Sequence, residues 1–312
     1  MNQPVATLAK LRSVELRTSA ASESADFYEN VWGLSVVERG SEGAWLRGTG
    51  DEHHVLQLTA AEQNGLGRIT FAVRTPAEVD EAARRLGSRG VPIVAGPGPT
   101  GEIAAGYGVS FVDPEGRVIQ LLAAAYAVTT MHRSDAVPVG VTHVVLNTVD
   151  IDAAVAFYTD VLGMRVSDWS EHQMAFLRCN SDHHSIAFNQ AEWTAINHVA
   201  YEMPSVDHFM RGIGRLRHHG VVPMWGPGRH GPGDNTFSYF ADPAGLVCEY
   251  TSGIAQVEED RWLCRVWRRV PELSDTWGTA GPPSAEVRSH MAGVPDDGPF
   301  AGRADLRVSA DR

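Results

Sequence analysis

Apolar and polar residues alternate along much of this chain with the period of two that is typical of β-strands. The clearest case flanks the Asp-Pro-Ala-Gly sequence at 242–245, where segments 237–241 and 246–251 are rich in aromatic and β-branched residues. Proline fixes φ at the first turn position, and glycine adopts the left-handed conformation that closes a three-residue loop. The pattern therefore predicts a β-hairpin in which Tyr239 lies opposite Glu249, with both side chains on one face.

Other segments have apolar residues three and four positions apart, which predicts helices. The first covers 153–162 and ends at Gly163. Another begins after Ser205, a good N-cap residue, and ends before Gly220. A matching helix is predicted at about 76–87. Because such helices bury one face, we expect them to cover one side of a sheet.

The same series of elements occurs twice, about 130 residues apart. Phe27-Tyr28 in the first copy corresponds to Phe157-Tyr158 in the second, and the Asp-Pro-x-Gly turn at 113–116 corresponds to the turn at 242–245. Each copy predicts a strand, a short helix, a hairpin, a strand, a helix, a loop and a second hairpin. We therefore predict an α+β fold of two tandem modules of paired βαβββ units, which form curved, barrel-like mixed sheets with the helices outside.

The repeat divides the chain into four parts. The predicted ranges are 1–125 for the first module, 126–140 for a linker, 141–254 for the second module and 255–312 for a C-terminal arm and tail. From Ser284 onward the sequence has few apolar residues and scattered glycines. This end of the chain is therefore predicted to be either a loose tail or a segment that docks on a neighbouring subunit.

Composition narrows the class of protein. The chain has 312 residues, of which 43% are hydrophobic, as in a globular protein with two domains. It lacks a run of about 18 apolar residues and a signal-peptide pattern, so a cytoplasmic location without membrane association is predicted. The net charge of -12 argues against a nucleic-acid partner. The three cysteines are too scattered for disulfides or a zinc site and are predicted to be buried thiols.

A candidate metal site emerges when the two copies are compared. Three residues of the second copy can bind a metal where the first copy has lost that chemistry: His143 against Ser13, His198 against Arg68, and Glu249 against Gln120. Two imidazoles and one carboxylate on three predicted strands form the facial triad typical of a non-haem Fe(II) centre, which leaves coordination positions open. From the ligands alone, zinc and manganese remain alternatives.

Further histidines and a tyrosine lie close to this triad in the predicted fold. Adjacent residues on a strand face opposite ways, so one member of the doublet His183-His184 can face the metal. The first copy has its own doublet, His53-His54, so a doublet alone does not indicate function. Together, His184, His230 and Tyr239 would give the open side of the metal three groups that donate or accept protons.

The sequence from Arg229 to Glu249 resembles the signature of the type I extradiol ring-cleavage dioxygenases, the catechol 2,3-dioxygenase-like branch of the vicinal oxygen chelate superfamily. The matching residues are Arg229-His230-Gly231, Tyr239-Phe240, Asp242-Pro243, Gly245 and Glu249. The Pro-Glu-Leu-Ser-Asp-Thr-Trp-Gly sequence at 271–278 also looks like the arm of this family, and the resemblance covers about residues 8–283.

This resemblance implies an enzyme that cleaves the ring of a catechol with O₂ to a muconic semialdehyde type of product, in the degradation of aromatic compounds. It implies Fe(II), with Mn(II) as the alternative, on His143, His198 and Glu249. It implies that His184 is the catalytic acid/base and that His230 and Tyr239 hydrogen-bond the substrate oxygens. It also implies a homo-oligomer, with a tetramer favoured.

One departure concerns the substrate. Homoprotocatechuate-cleaving relatives carry an arginine just ahead of the Gly-Pro-Gly sequence, where it receives the substrate carboxylate. This chain has Trp225 there, which favours an uncharged, alkyl- or aryl-substituted catechol bound by stacking and apolar contact. The alternative is that Trp225 only packs the loop.

Three other functions are weighed against a dioxygenase. A glyoxalase-type isomerase or lyase on this fold would draw metal ligands from both modules, and Ser13, Arg68 and Gln120 argue against that. A metal-free small-molecule binding protein would not need the triad. A non-enzymatic scaffold would not explain why histidines and a tyrosine gather beside it.

Overall fold

The computed structural model describes residues 3–41, 43–101, 103–129 and 136–301. Within these ranges the strands form two mixed sheets, one of eight strands and one of nine. The first sheet contains β1 (Lys10–Thr18), β2 (Ser35–Gly40), β3 (Gly43–Arg47), β4 (Leu56–Ala60), β5 (Gly65–Ala72), β6 (Ile93–Pro99), β7 (Tyr107–Val112) and β8 (Val118–Ala123). The second contains β9 (Val141–Thr148), β10 (Arg165–Ser170), β11 (Met174–Arg178), β12 (Ile186–Gln190), β13 (Ala195–Glu202), β14 (Trp225–Arg229), β15 (Thr236–Ala241), β16 (Val247–Ser252) and β17 (Arg265–Trp267).

The two sheets share one topology. The first runs β2, β3, β4, β1, β5, β8, β7, β6, and the second runs β10, β11, β12, β9, β13, β16, β15, β14, with β17 added beside β10. The prediction of an α+β fold with two repeated modules is therefore confirmed. Among the described strands, the two edges of each sheet do not pair with each other, so neither sheet closes into a barrel.

Six α-helices accompany the sheets in the described residues. They are α1 (Ala21–Phe27), which continues into a π-helical turn (Tyr28–Trp32), α2 (Pro76–Ser88), α3 (Ile151–Asp160), α4 (Val206–His218), α5 (Pro271–Ser274) and α6 (Ala285–Ala292). The predicted helices are confirmed, and their ends follow local capping. Ser205 accepts a hydrogen bond from the backbone N–H of His208, and α3 starts two residues earlier than predicted because Asp150 caps it.

The hairpin that joins β15 and β16 has the predicted register, with Tyr239 opposite Glu249. Gly245 has a φ of 85°, the left-handed conformation required to close the loop. The Oδ1 atom of Asp242 accepts hydrogen bonds from the backbone N–H groups of Ala244 and Leu246, at 2.9 Å each. The turn residues therefore fix which side chains of β16 share a face with β15.

The two modules interlock through their equivalent turns. Asp242 of the second module accepts a hydrogen bond from Ser24 of the first, at 2.9 Å. Asp113, in the corresponding first-module turn, lies 3.3 Å from the Tyr158 hydroxyl of the second module. One apolar core runs through both modules, and Trp32 is completely buried in it. The linker prediction of 126–140 stays a prediction, because 130–135 lie outside the described residues.

The C-terminal arm packs on its own chain. Strand β17 extends the second sheet by pairing parallel with β10. Helix α6 is anchored by Asn147, whose side-chain amide donates to the carbonyls of Met291 and Ala292 at 2.8 and 3.0 Å. The expectation of a loose tail was therefore wrong for residues 284–301, because polar side chains of both modules, Asn147 and Arg17, bind this segment. Docking on another subunit stays a prediction. Residues 302–312 lie outside the described part of the chain.

Two smaller expectations are also tested. All three cysteines are free, and Cys248 is buried, but Cys264 is exposed because it lies on the arm just before β17. Among the described helices, none is both long and apolar enough to span a membrane.

Candidate metal centre

Three central strands of the second sheet bring the candidate ligands onto one face. In the register, Ala200 of β13 pairs with His143 of β9 on one side and with Glu249 of β16 on the other. Paired residues share a face of the sheet, and so does His198, two positions before Ala200. Ala200 itself has only a methyl group, so the three longer side chains can converge above it.

The ligand atoms converge tightly. The donor atoms of His143, His198 and Glu249 all lie within 4.8 Å of one another, and all three residues are buried. The Oε2 atom of Glu249 lies 3.3 Å from His143 Nε2 and 3.1 Å from His198 Nε2. Yet Oε2 and His198 Nε2 are buried without a hydrogen bond of acceptable geometry in the described structure. Lone pairs that converge without bonding each other fit a cation placed between them.

Neighbouring amides orient two of the ligands. His198 Nδ1 lies 2.8 Å from the Asn197 side-chain oxygen, so Nδ1 carries the proton and Nε2 is left for a metal. Asn197 in turn donates to Asn147 at 3.0 Å. On the other side, the Asn235 amide lies 3.5 Å from Glu249 Oε1, the carboxylate oxygen that is not shared with the histidines. These partners hold the donor atoms in place before any metal binds.

The first module shows what replaces the ligands. At the position of Ala200 it has Thr70, whose hydroxyl donates to Gln120 at 3.1 Å. Arg68, at the position of His198, forms an ion pair with Glu15 at 3.4 Å. In the first module, the sheet face equivalent to the ligand-bearing face is thus occupied by polar side chains that contact one another. In the second module, the lone pairs of Glu249 Oε2 and His198 Nε2 converge without such contacts.

The two histidines of the second-module doublet face different ways. The ring of His184 lines the cavity over the triad and lies 4.3 Å from the ring of His143. The ring of His183 points away, with Nε2 3.1 Å from Asp168. The doublet lies in the turn before β12 rather than on the strand, but the two rings are perpendicular, at 90°.

His230 and Tyr239 form a second polar group on the cavity wall. The Tyr239 hydroxyl donates to His230 Nε2 at 2.9 Å, because His230 Nδ1 donates to the carbonyl of Ser274 at 3.0 Å. The His230 ring stacks on Phe237 at 4.0 Å, which fixes its plane. The predicted candidates His184, His230 and Tyr239 are therefore all brought to one cavity.

Burial sets the protonation of these groups. Burial lowers the pKa of His184 well below its usual value, and repulsion from His143 and His183 adds to this effect. Burial likewise lowers the pKa of His230 and raises that of the Tyr239 hydroxyl. Burial would raise the pKa of Glu249, but the adjacent imidazoles outweigh it and lower the pKa to about 2. At neutral pH the site therefore offers the Glu249 carboxylate, the neutral imidazoles of His184 and His230, and the protonated phenol of Tyr239.

The cavity above the triad has a volume of about 530 Å³. Its lining combines the ligand-bearing face of the second sheet with residues of the arm and tail. The apolar residues of the arm and tail in this lining form an apolar wall of Val270, Pro271, Leu273, Pro282, Pro283 and Met291, and Arg268, Arg269 and Arg288 also line the cavity. A planar aromatic molecule would thus lie between ligand atoms and apolar side chains.

Trp225 also lines this cavity. Its ring stacks on Tyr239 with 5.2 Å between centroids and 12° between planes. Its indole N–H donates to the carbonyl of Gly281 at 2.8 Å. Trp225 therefore packs the loop and also lines the cavity, and its contact with a substrate stays a prediction.

Several residues that shape the site were not predicted from the sequence. Asn235 and Asn197 orient ligands, and Asp168 binds His183, but an isolated asparagine or aspartate carries no local signal. The repeat held one clue, because Asn197 corresponds to Gly67 in the first copy. The apolar wall could not be found because the pattern of the arm and tail, residues 270–291, predicts no particular docking surface.

Comparisons with known proteins agree with this geometry. The profile of the Glyoxalase/Bleomycin resistance protein/Dioxygenase superfamily matches residues 10–121 and 140–250, one segment in each module. Metapyrocatechase 2 of Cupriavidus necator is 31% identical over 169 residues, which are 47% of this chain and 53% of that protein. The chain thus spans about half the length of that relative. The manganese-dependent 2,3-dihydroxybiphenyl 1,2-dioxygenase of Geobacillus genomosp. 3 is 24% identical over 84% of this chain and 91% of its own.

A solved structure matches nearly the whole chain. The Mn(II)-bound glyoxalase from Novosphingobium aromaticivorans is 36% identical, with a TM-score of 0.87, and the match covers 95% of this chain and 97% of that one. The profile match to both modules accounts for well over half of the chain. The protein therefore belongs to the Glyoxalase/Bleomycin resistance protein/Dioxygenase superfamily.

Proposed function

We propose that this protein is a metal-dependent extradiol dioxygenase that cleaves the ring of a catechol with O₂. The observation that carries the proposal is the set of converging buried donor atoms of His143, His198 and Glu249 at the floor of the cavity. The similarity to metapyrocatechase 2 and to a 2,3-dihydroxybiphenyl 1,2-dioxygenase supports the same activity. In this reaction both oxygen atoms enter the product and the C–C bond beside the diol breaks.

The proposed roles follow from the contacts. His143, His198 and Glu249 would hold the metal, which supplies a Lewis acid for the catechol oxygens and a redox centre for the reaction with O₂. His184 accepts a proton from the substrate and later returns it, since its neutral ring lines the cavity. The Tyr239 hydroxyl, whose own proton is donated to His230 Nε2, accepts a hydrogen bond from a hydroxyl of the catechol, and His230 orients it. The apolar wall excludes water from the reacting ring.

We propose Fe(II) as the native metal, with Mn(II) as the alternative. Protein purified without oxygen is expected to contain one iron per chain by elemental analysis. Removal of the metal by a chelator should abolish formation of yellow ring-opened product, and Fe(II) should restore more activity than Mn(II). A correctly folded protein that contains no metal, and gains no activity from either ion, would contradict the proposal.

We propose an uncharged aryl or alkyl substituent on the part of the catechol that packs against Trp225. Trp225 lines the cavity beside Tyr239 and offers the substituent an aromatic, uncharged neighbour, whereas the arginines of the cavity, Arg268, Arg269 and Arg288, belong to the arm and tail. The wild-type enzyme is therefore expected to prefer 2,3-dihydroxybiphenyl to homoprotocatechuate.

The variant Trp225→Arg tests this specificity. It should shift the ratio of kcat/KM toward homoprotocatechuate by at least about 10-fold, because a hydrogen bond to a charged group contributes ~1.5 kcal/mol or more. Steady-state kinetics with both substrates measures the ratio. Trp225→Phe, which removes the indole N–H without adding charge, is the control and should not favour the carboxylate. An unchanged ratio in Trp225→Arg would mean that Trp225 only packs the loop.

A glyoxalase-type isomerisation is the second candidate function, favoured by the 36% identity to a Mn(II)-bound glyoxalase. The two activities differ in their need for oxygen, since an isomerase consumes none. Turnover of a hemithioacetal under anaerobic conditions, without turnover of catechols in air, would support this candidate over the dioxygenase. The homo-oligomer, with a tetramer favoured, stays a prediction that analytical ultracentrifugation would test.

A further inference from the structure

A chain of three buried side chains leads from the C-terminal arm to the cavity. Asp168, His183 and His184 are 1%, 0% and 3% exposed, respectively. Asp168 Oδ2 lies 3.1 Å from His183 Nε2, and His183 Nδ1 lies 3.0 Å from His184 Nδ1. Neither Asp168 nor His183 lines the cavity, so the proposed reaction gives them no direct part.

The surroundings of Asp168 constrain which atoms donate and which accept along the series Asp168, His183 and His184. Asp168 is surrounded by donors, because it also accepts from the indole N–H of Trp267 at 2.6 Å and from the backbone N–H of Arg265 at 2.8 Å. A carboxylate surrounded by donors accepts a hydrogen bond from the N–H group at His183 Nε2. With a single proton on Nε2, His183 offers only an acceptor at Nδ1, and His184 then donates to it from its own Nδ1. The remaining nitrogen of His184, Nε2, is left as an acceptor.

The first module provides a comparison within the same chain. Its doublet has nearly the same geometry, with 3.3 Å between the Nδ1 atoms of His53 and His54 and ring planes at 89°. The position of Asp168 is occupied there by Glu38, which is exposed and, in the described structure, accepts no hydrogen bond from His53. The doublet is thus common to both modules, but among the described residues a carboxylate anchors it only beside the candidate metal site.

The arm supplies the rest of this anchor. Strand β17 pairs with β10, so that Arg265 lies opposite Asp168 and Trp267 lies two residues further along. Trp262, on the approach to β17, covers the His183 ring with 5.3 Å between centroids. No strand of the first sheet, within the described ranges, occupies the position equivalent to β17.

We infer that Asp168 and His183 are positioning residues that hold His184 in the tautomer with its proton on Nδ1, so that Nε2 faces the substrate as a base. This inference rests on the proposed function, because it gives His184 its first task, the acceptance of a catechol proton. It also gives the arm a role, because the backbone N–H of Arg265 and the indole N–H of Trp267 both donate to Asp168.

Neutron diffraction from crystals of the full-length, metal-loaded wild-type protein tests the tautomer directly. We expect a deuteron on Nε2 of His183 and on Nδ1 of His184, with none on Nε2 of His184. A deuteron on His184 Nε2 would overturn the inference. This readout requires no turnover, so it remains decisive even if catechols prove not to be substrates and the proposed function fails.

Asp168→Asn tests the consequence for catalysis. An amide offers one acceptor oxygen where three donors meet, so the anchor of His183 is weakened without loss of volume. The kcat should fall at least about 10-fold, as is typical when the partner that orients a histidine is removed. KM and metal content should not change. The matched control is Glu38→Gln in the first module, which should leave kcat unchanged.

The outcomes separate a positioning role from a structural one. A fall in kcat with constant KM, metal content and melting temperature supports the inference. An unchanged kcat in Asp168→Asn, or an equal loss in Glu38→Gln, would overturn it. If Asp168→Asn does not fold, the neutron structure of the wild type still decides the tautomer.

Discussion

Glu249→Ala is expected to lose its bound metal and with it nearly all turnover of catechols. Glu249 is the single carboxylate of the triad, fully buried, and its Oε2 lies within 3.3 Å of both ligand nitrogens. Removal leaves two neutral imidazoles, which cannot balance the charge of a divalent cation. The rate should fall by more than about 1,000-fold, equivalent to ~4 kcal/mol of transition-state stabilisation. Metal content per chain and kcat/KM measure the two effects.

The matched control for this prediction is Gln120→Ala. Gln120 occupies the equivalent position of the first module and bonds Thr70 rather than a ligand set. Its loss should leave metal content and kcat/KM close to those of the wild type, whatever its effect on melting temperature. Retention of stoichiometric metal by Glu249→Ala would contradict the proposed ligand set.

His184→Phe is expected to keep its metal but to lose turnover by about 100- to 10,000-fold, the range for removal of a general acid or base. Phenylalanine preserves the aromatic ring that packs at 5.2 Å against Phe176, so the local fold should hold. It removes both ring nitrogens, and therefore the group proposed to move the substrate proton. Elemental analysis together with single-turnover kinetics distinguishes lost chemistry from lost metal.

His54→Phe provides the comparison. His54 is buried in the equivalent doublet of the first module, away from the candidate ligands, and burial lowers its pKa to about 3. Its replacement should change stability at most, with kcat retained. If His184→Phe retained wild-type kcat, the acid/base role of His184 would be wrong.

Local sequence determined the elements and the face on which the ligands lie. The Asp-Pro-Ala-Gly turn fixed the pairing of Tyr239 with Glu249, because the loop length sets the register and the register sets the face. Capping by Ser205 and the spacing of apolar residues located α4. The internal repeat then distinguished the module that retains metal-binding residues from the one that does not, because each position of one copy can be compared with the equivalent position of the other.

Only the tertiary structure decided how the site is closed and braced. The anchor of His183 joins residues about 100 positions apart in the chain, Asp168 and Trp267, and no local rule relates them. The same holds for the tail, whose helix α6 docks because Asn147 offers side-chain donors to its terminal carbonyls. A turn depends on neighbouring residues, and the two copies of a repeat can be compared position by position. Both can therefore be recognised from the sequence. Contacts between distant segments depend on the whole packed shape, which the pattern of one segment does not contain.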